Sequence, residues 1–240
     1  ILSTNLDLHM EHALLRAGLP FTRLVHYRAG ERIDICRFAN VVKDQFGELR
    51  IDGRPVALDD NSALDAQINI CERRSVRLQE SEPGSGNPLA SLDLSTTPDP
   101  ILYKFQGSED IDNSSAISTD QCYEFLSRVL RQPCVPSQIT EIIGNSTLVI
   151  LGSTLLDHEF RLSYHALLRE SLRSNPYSFY AVLNRKELDK RDFGHKYAEQ
   201  SWDSVKKAAL AKYKVEMFDA PVADFLGRVA DRLRQEWGGA

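Results

Sequence analysis

The sequence predicts an α/β protein with a Rossmann-like, open and mostly parallel sheet and helices on both faces. The predicted fold is incomplete at its N-terminus and contains an inserted hairpin and loop region. From position 101 onward, apolar strand-like runs alternate with helices, most of them ten residues or longer, as in the crossover units that join parallel strands. Three apolar runs, which begin at Leu2, Leu102 and Leu148, end in small polar residues. This pattern is typical of strands that bring a turn to the ligand-binding edge of an open sheet.

The first hundred residues are predicted to hold one strand-to-helix unit followed by the insertion. A helix over Leu8 to Ala17 is stopped by Gly18, and short apolar runs from Leu24 to Leu58 indicate a strand and one or two hairpins. From about 72 to 100 the composition turns to Ser, Glu, Pro, Gly and Asn, which predicts a long mobile loop. We therefore expect one partial domain over 1–240, with hairpins and loop inserted at about 28–100.

Residues 101–240 are predicted to form the strand and helix core. The predicted strands are Ile101 to Phe105, Thr147 to Leu151, Phe179 to Leu183 and Val215 to Phe218. The predicted helices are Thr119 to Arg131, Pro136 to Ile143, His158 to Leu172, Gln200 to Ala211 and Val222 to Trp237.

Composition excludes several classes of protein. With 42% hydrophobic residues the chain can bury an ordinary core, and 34 acidic against 29 basic residues give no general attraction to nucleic acid. No apolar run approaches the ~20 residues that cross a bilayer. The dispersed cysteines lack paired zinc spacing, so we expect reduced thiols and a cytoplasmic location; they are Cys36, Cys71, Cys122 and Cys134. Because the chain opens on Ile1 within a strand pattern, we expect it to continue upstream, where any targeting signal would lie.

Three polar segments carry the functional prediction. The first is Ser3-Thr4-Asn5-Leu6-Asp7, the second is Lys104-Phe105-Gln106-Gly107-Ser108, and the third is Gly152-Ser153-Thr154-Leu155. Asn and Asp before a helix also serve as N-caps, so local pattern alone leaves a capping role open for the first segment. Capping by Thr154 or Asp157 is equally open for the third segment.

In this order the segments resemble the NAD site of sirtuin-like domains, in a bacterial, defence-associated branch. The resemblance implies that Asn5 positions the attacking water, that Asp7 supports the nicotinamide pocket, and that Thr4 and Gly107 contact NAD. It also implies that the dinucleotide is bound by Gly152, Ser153 and Thr154, with Asn184 and Asp219 on the adenosine side.

Two departures from the family pattern stand out. The family histidine that accepts a proton from a ribose hydroxyl is replaced by Gln106, whose amide can hold a ribose but has no titratable proton. The glycine-rich phosphate loop expected before Ile1 is absent from the chain.

No metal site is predicted. The segment at His158 does not complete H-E-x-x-H, because position 162 is Leu162, and the segment at His9 does not match that motif either. Both histidine segments are predicted to lie on helix surfaces. Protein-deacylating sirtuins insert a four-cysteine zinc module that is missing here, so the resemblance implies neither zinc nor deacetylation.

The resemblance instead implies an NAD glycohydrolase, which converts NAD to ADP-ribose and nicotinamide within a larger anti-phage defence protein. Its partners would then be NAD and other domains or subunits of that protein, and self-association is left open. The alternative is a catalytically silent module for nucleotide binding or assembly, which Gln106 and the absent phosphate loop favour.

Overall fold

The computed structural model of the chain describes residues 1–3, 7–27, 32–77, 99–116, 118–131, 135–151, 164, 179–183 and 198–237. The chain divides into two compact units, Ile1–Gln138 and Ile139–Ala240.

The described elements of the first unit are eight strands and three helices. They are β1 (Leu2–Ser3), α1 (His9–Arg16), β2 (Phe21–His26), β3 (Arg32–Phe38), β4 (Val41–Lys43), β5 (Leu49–Ile51), β6 (Arg54–Val56), α2 (Asn61–Ile70), β7 (Arg73–Arg77), β8 (Ile101–Lys104) and α3 (Thr119–Arg131).

The main sheet of this unit has five strands in the order β1-β8-β2-β3-β7. Strand β8 pairs in parallel with both neighbours, so that Lys104 aligns with Ser3 on one side and Val25 on the other. Strands β3 and β7 extend the sheet in antiparallel pairing. The predicted parallel sheet is therefore confirmed for β1, β8 and β2, while the outer strands make the whole sheet mixed.

Helices cover both faces of this sheet, as predicted. Glu11 of α1 contacts Arg23, whereas Phe125 of α3 packs against His26 with ring centroids 5.2 Å apart. Since alternate residues of a strand project to opposite faces, positions 23 and 26 lie on different sides. The hydrophobic core on the α1 side includes Leu15 of that helix together with buried residues of α2 and β3.

The predicted hairpins are also present. Strands β4, β5 and β6 form an antiparallel meander, and Asp52 and Gly53 at the β5–β6 turn both have positive φ. That backbone conformation suits the type I′ turn that joins tight hairpins.

Two elements differ from the predictions for this region. Helix α2 was not predicted, although the Asp60 side chain accepts the Ser62 amide as an ordinary N-cap. Strand β7 occupies the start of the predicted loop. Its arginine-rich sequence lacks the apolar pattern of a buried strand, and the strand is held by its backbone pairing with β3. Positions 78–98 of that loop lie outside the described residues.

The expectation of reduced thiols is wrong for one pair of cysteines. Cys36 on β3 and Cys71, which follows α2, form a disulfide, with their Cα atoms 6.2 Å apart. The two residues are 35 positions apart, and only the return of the chain through β4, β5, β6 and α2 brings them together. Cys122 is a buried free thiol.

The second unit contains a parallel three-stranded sheet. Its described elements are α4 (Ser137–Gly144), which begins in the first unit, then β9 (Leu148–Leu151), β10 (Phe179–Leu183), α5 (Ala198–Tyr213), β11 (Val215–Asp219) and α6 (Val222–Trp237). The strand order is β11-β10-β9, with both pairs parallel. These elements confirm the predicted ones, except the helix over His158 to Leu172, nearly all of which lies outside the described residues. Within the described ranges, no helix combines the length and the apolar character needed to span a membrane.

Candidate functional site

Two of the predicted catalytic positions follow neighbouring parallel strands. The Phe105 amide donates to the Ser3 carbonyl at 3.1 Å, which locks the end of β1 against the end of β8. Asp7 comes after β1 and Gln106 comes after β8, so both belong to the same carboxyl edge of the sheet. Thr4 and Asn5 lie outside the described residues, and their predicted roles stay predictions.

Asp7 takes part in the start of helix α1. Its carboxylate accepts the His9 amide at 3.1 Å, and its backbone carbonyl accepts a hydrogen bond from the Lys104 ammonium. The N-cap position of α1 is Leu8, which has no side-chain cap, so Asp7 hydrogen-bonds the first turn of α1 from the residue before the cap and is not itself the N-cap. With 39% of its side chain exposed, the carboxylate also remains accessible at the sheet edge.

Gln106 and Gly107 form the turn after β8. Gln106 is 7% exposed, and its backbone carbonyl accepts the Ala116 amide at 3.1 Å. Gly107 has φ +94°, and a Cβ there would lie 2.4 Å from the Ser114 carbonyl oxygen. Only glycine fits this position, because the loop folds back closely on itself.

Ser108 and Ser114 close that loop. The Ser108 amide donates to the Ser114 hydroxyl at 2.9 Å, and the hydroxyl donates back to the Ser108 carbonyl at 2.8 Å. The turn that carries Gln106 is therefore held by buried hydrogen bonds.

Beneath this edge lies a buried ionic network that the sequence analysis missed. Its members are Glu11 of α1, Arg23 of β2, Lys104 of β8 and Asp110 of the following loop. One Glu11 carboxylate oxygen lies 2.9 Å from Arg23 Nε and 3.1 Å from Lys104 Nζ. The Arg23 guanidinium contacts both Asp110 oxygens, at 2.5 and 2.9 Å, and the Ser108 hydroxyl at 2.5 Å.

The network shifts the pKa of two of its members. Burial alone would raise the pKa of the Asp110 carboxyl, but hydrogen bonds and charge from Arg23, with help from Ser108 and Arg73, lower it to about 2. Burial lowers the pKa of Lys104 below its ordinary value, and the Glu11 carboxylate opposes that shift. Two cations and two carboxylates balance within the buried set.

A sequence signal for this network does exist. Lys104 interrupts an apolar strand, and Glu11 lies between Leu8 and Leu15 on the buried face of α1, where a charged residue needs a partner. His12 on the same helix is also buried and lies 2.7 Å from Asp65, which corrects its prediction as a surface residue.

The opposite face of β8 carries an aromatic cluster. Tyr103 and Phe105 pack with His26 of β2 and Phe125 of α3, and the Tyr103 hydroxyl lies 2.9 Å from His26 Nδ1. His26 is fully buried here.

A polar cluster follows the end of β2 at the same edge. The Tyr27 hydroxyl donates to Asp34 at 2.9 Å, the Ser75 hydroxyl donates to the other Asp34 oxygen at 2.5 Å, and the Arg32 guanidinium stacks 3.9 Å from the Tyr27 ring centroid. Burial raises the pKa of Tyr27, and the Asp34 carboxylate adds to that rise. Among the described residues, no three His, Cys, Asp or Glu side chains form a group that could hold a metal ion.

The predicted dinucleotide residues belong mostly to segments without a description. Gly152, Ser153, Thr154 and Asn184 lie outside the described residues. Asp219 ends β11 in the second unit, where it aligns with Leu183 of β10 and is exposed.

Comparison with known families decides what kind of domain this is. The model of the SIR2-like domain matches residues 1–205. The chain belongs to the SIR2-like domain family. Comparisons with curated proteins and with solved structures gave no match.

Membership in the SIR2-like family makes this an NAD-related domain. The described edge of the sheet is the kind that binds nucleotides. The parallel strands β1, β8 and β2 present their carboxyl ends together there, and open α/β sheets bind nucleotides at that edge. The Gln106 amide at that edge can both donate to and accept from ribose hydroxyls.

Proposed function

We propose that this SIR2-like domain is an NAD glycohydrolase that acts as an effector of anti-phage defence within a larger bacterial protein. The observation that supports the proposal most directly is the parallel pairing of β1 with β8. It supports the proposal because the described residues Asp7 and Gln106 follow these two strands at the same edge of the sheet.

In the proposed reaction, the bond between nicotinamide and ribose C1′ breaks and a water oxygen bonds to C1′. The products are ADP-ribose, nicotinamide and one proton. Asn5 positions the water, Asp7 supports the nicotinamide end, and the Gln106 amide holds a ribose hydroxyl. Since Gln106 cannot accept a proton, we expect slow turnover.

The remaining parts of the proposal concern binding and context. Gly107, Thr4 and the segment Gly152, Ser153 and Thr154 contact NAD, while Asn184 and Asp219 bind the adenosine side. The partners are NAD and other domains or subunits of the defence protein, without zinc and without direct contact with nucleic acid. A cytoplasmic location is part of the proposal, and the Cys36–Cys71 disulfide counts against it, because disulfides are rare in that compartment.

The second candidate is a catalytically silent module that binds nucleotide or assembles with partners. Gln106 favours it, because an amide replaces the general base that the resemblance leads one to expect.

Nicotinamide release from NAD by the full protein tests the proposal. We expect slow release by the parent and a rise of about 10²- to 10⁴-fold in Gln106→His, the usual contribution of a positioned general base. Adding Asn5→Ala to Gln106→His should abolish the gain, because the water loses its positioning group.

Gln45→His is the matched control, since Gln45 lies in the exposed turn between β4 and β5. A fast parent whose activity falls in Gln106→His would contradict the assigned role of Gln106. If neither the parent nor Gln106→His releases nicotinamide, the result would support the catalytically silent module.

A further inference from the structure

The buried ionic network connects the two loops that flank the candidate catalytic positions. At one end, the Lys104 ammonium donates to the backbone carbonyl of Asp7, in the segment between β1 and α1. At the other end, Arg23 contacts Ser108 and both oxygens of Asp110, in the loop after β8. Glu11 lies between the two cations and contacts both of them.

Each contact between these four side chains is short and shielded from solvent. The side chains of Glu11, Arg23 and Lys104 are at most 1% exposed, and that of Asp110 is 4% exposed. At such burial, charge interactions are screened much less than at the surface, so the positions of the partners are tightly coupled.

A contact built only for stability would not need these charges. Buried ion pairs lose hydration, and apolar side chains of the same volume are often no less stabilising. Helix α1 and its N-cap already contribute apolar side chains to the core, namely Leu8, Leu14 and Leu15. What the forked Arg23 guanidinium adds is a fixed distance and angle to the Asp110 carboxylate, while Glu11 lies within ion-pair distance of both Arg23 Nε and Lys104 Nζ.

We propose that Lys104, Glu11 and Arg23 are positioning residues, which set the segment after β1 against the loop after β8. Through its contact with the Asp7 carbonyl, the network fixes the start of α1 against the Gln106–Gly107 turn. Its effect on catalysis rests on the proposed NAD glycohydrolase function.

A charge-balanced variant separates positioning from folding. Lys104→Met with Glu11→Gln removes one cation and one carboxylate together, so that Arg23 and Asp110 remain as a paired set. Asp65→Asn is the matched control, because it removes the carboxylate charge from the 2.7 Å contact between His12 on the same helix and α2, and leaves the loops untouched.

Amide hydrogen exchange in the full protein is the first measurement. In the double variant we expect exchange at residues 2–9 and 105–116 to accelerate at least about tenfold, while α2 and residues 198–237 keep the parent rates. Unchanged exchange in those two segments, or equal acceleration throughout, would overturn the inference.

Nicotinamide release kinetics are the second measurement. The double variant should lose roughly 10- to 100-fold in kcat, with KM within about threefold of the parent, because small misplacement of reacting groups lowers the rate more than the binding. Asp65→Asn should match the parent in both constants.

Locally faster exchange with unchanged kcat would show that the network orders the loops without serving catalysis, and would overturn the catalytic part. A parent that releases no nicotinamide would refute the proposed function instead. The exchange measurement would then still decide whether the network sets the two loops.

Discussion

The two faces of β8 are held by different physical interactions. On one face, Lys104 meets Glu11 at 3.1 Å within a network of four buried charges. On the other, Phe105 packs against Phe125 with ring centroids 4.8 Å apart, in an aromatic cluster that includes the Tyr103 hydroxyl beside His26 Nδ1. Ionic contacts depend on direction and on every partner being present, whereas aromatic packing depends mainly on filled volume. The same strand should therefore respond very differently to changes on its two sides.

The largest expected effect comes from removing one partner of the ionic face. Arg23→Met leaves Glu11 and Asp110 buried with Lys104 as the remaining cation of the set. We expect a loss of about 3–5 kcal/mol in the free energy of unfolding, as for other broken buried ion pairs. Urea unfolding followed by circular dichroism measures it. A loss below about 1 kcal/mol would show that this face tolerates change as packing does.

A smaller loss in the free energy of unfolding is expected from a change at Gly107, in the turn that follows β8. Gly107→Ala forces a Cβ into the Ser114 carbonyl at a φ of +94°. We expect a loss of about 2–3 kcal/mol in unfolding free energy, from backbone strain and the displaced loop. Gly53→Ala is the control, because Gly53 also has positive φ but nothing lies within 4 Å of its Cβ position. Equal losses in the two variants would mean that the Ser114 contact is not important.

Most of the fold was open to prediction from the sequence. The bounds of α3 and α6 agree to the residue with those predicted, because long amphipathic patterns begin and end at clear signals. Strand β7 was not predictable in this way. It is an edge strand of Arg73, Arg74 and Arg77 around one valine, and its pairing with β3 is visible only in three dimensions.

The candidate site was predictable only in part. The order of the polar segments indicated Asp7 and Gln106, and the structure confirms that they follow adjacent parallel strands. The ionic network was missed because a single charged residue in a strand or helix resembles a solvated one until its partner is known. Arg23 and Asp110 are 87 positions apart, so no local pattern connects them.

Acid should weaken the ionic face through Asp110. The folded-state pKa of Asp110 is about 2, below its ordinary value, so its stabilising contribution is present above that ordinary value and is lost as pH falls toward 2. We expect Asp110→Asn to remove about 2 kcal/mol of the pH dependence of unfolding free energy between about pH 5 and pH 2. Unfolding titrations at several pH values in this range measure the difference. Phe125→Leu on the aromatic face, which removes no titratable or hydrogen-bonding group, should give a pH profile parallel to that of the parent, and an equal flattening there would contradict the assignment to Asp110.

The smallest effect is expected from Tyr103→Phe on the aromatic face, measured at neutral pH. The ring stays in place against Phe105, and only the hydroxyl that lies 2.9 Å from His26 Nδ1 is lost. Because the packing is retained and only the buried His26 Nδ1 loses a partner, the loss in unfolding free energy should be about 1–2 kcal/mol. Urea unfolding beside Arg23→Met makes the comparison direct. If Tyr103→Phe destabilised the protein as much as Arg23→Met, the aromatic face would depend on its polar contact, and the proposed division between a packed face and an ionic face of β8 would be wrong.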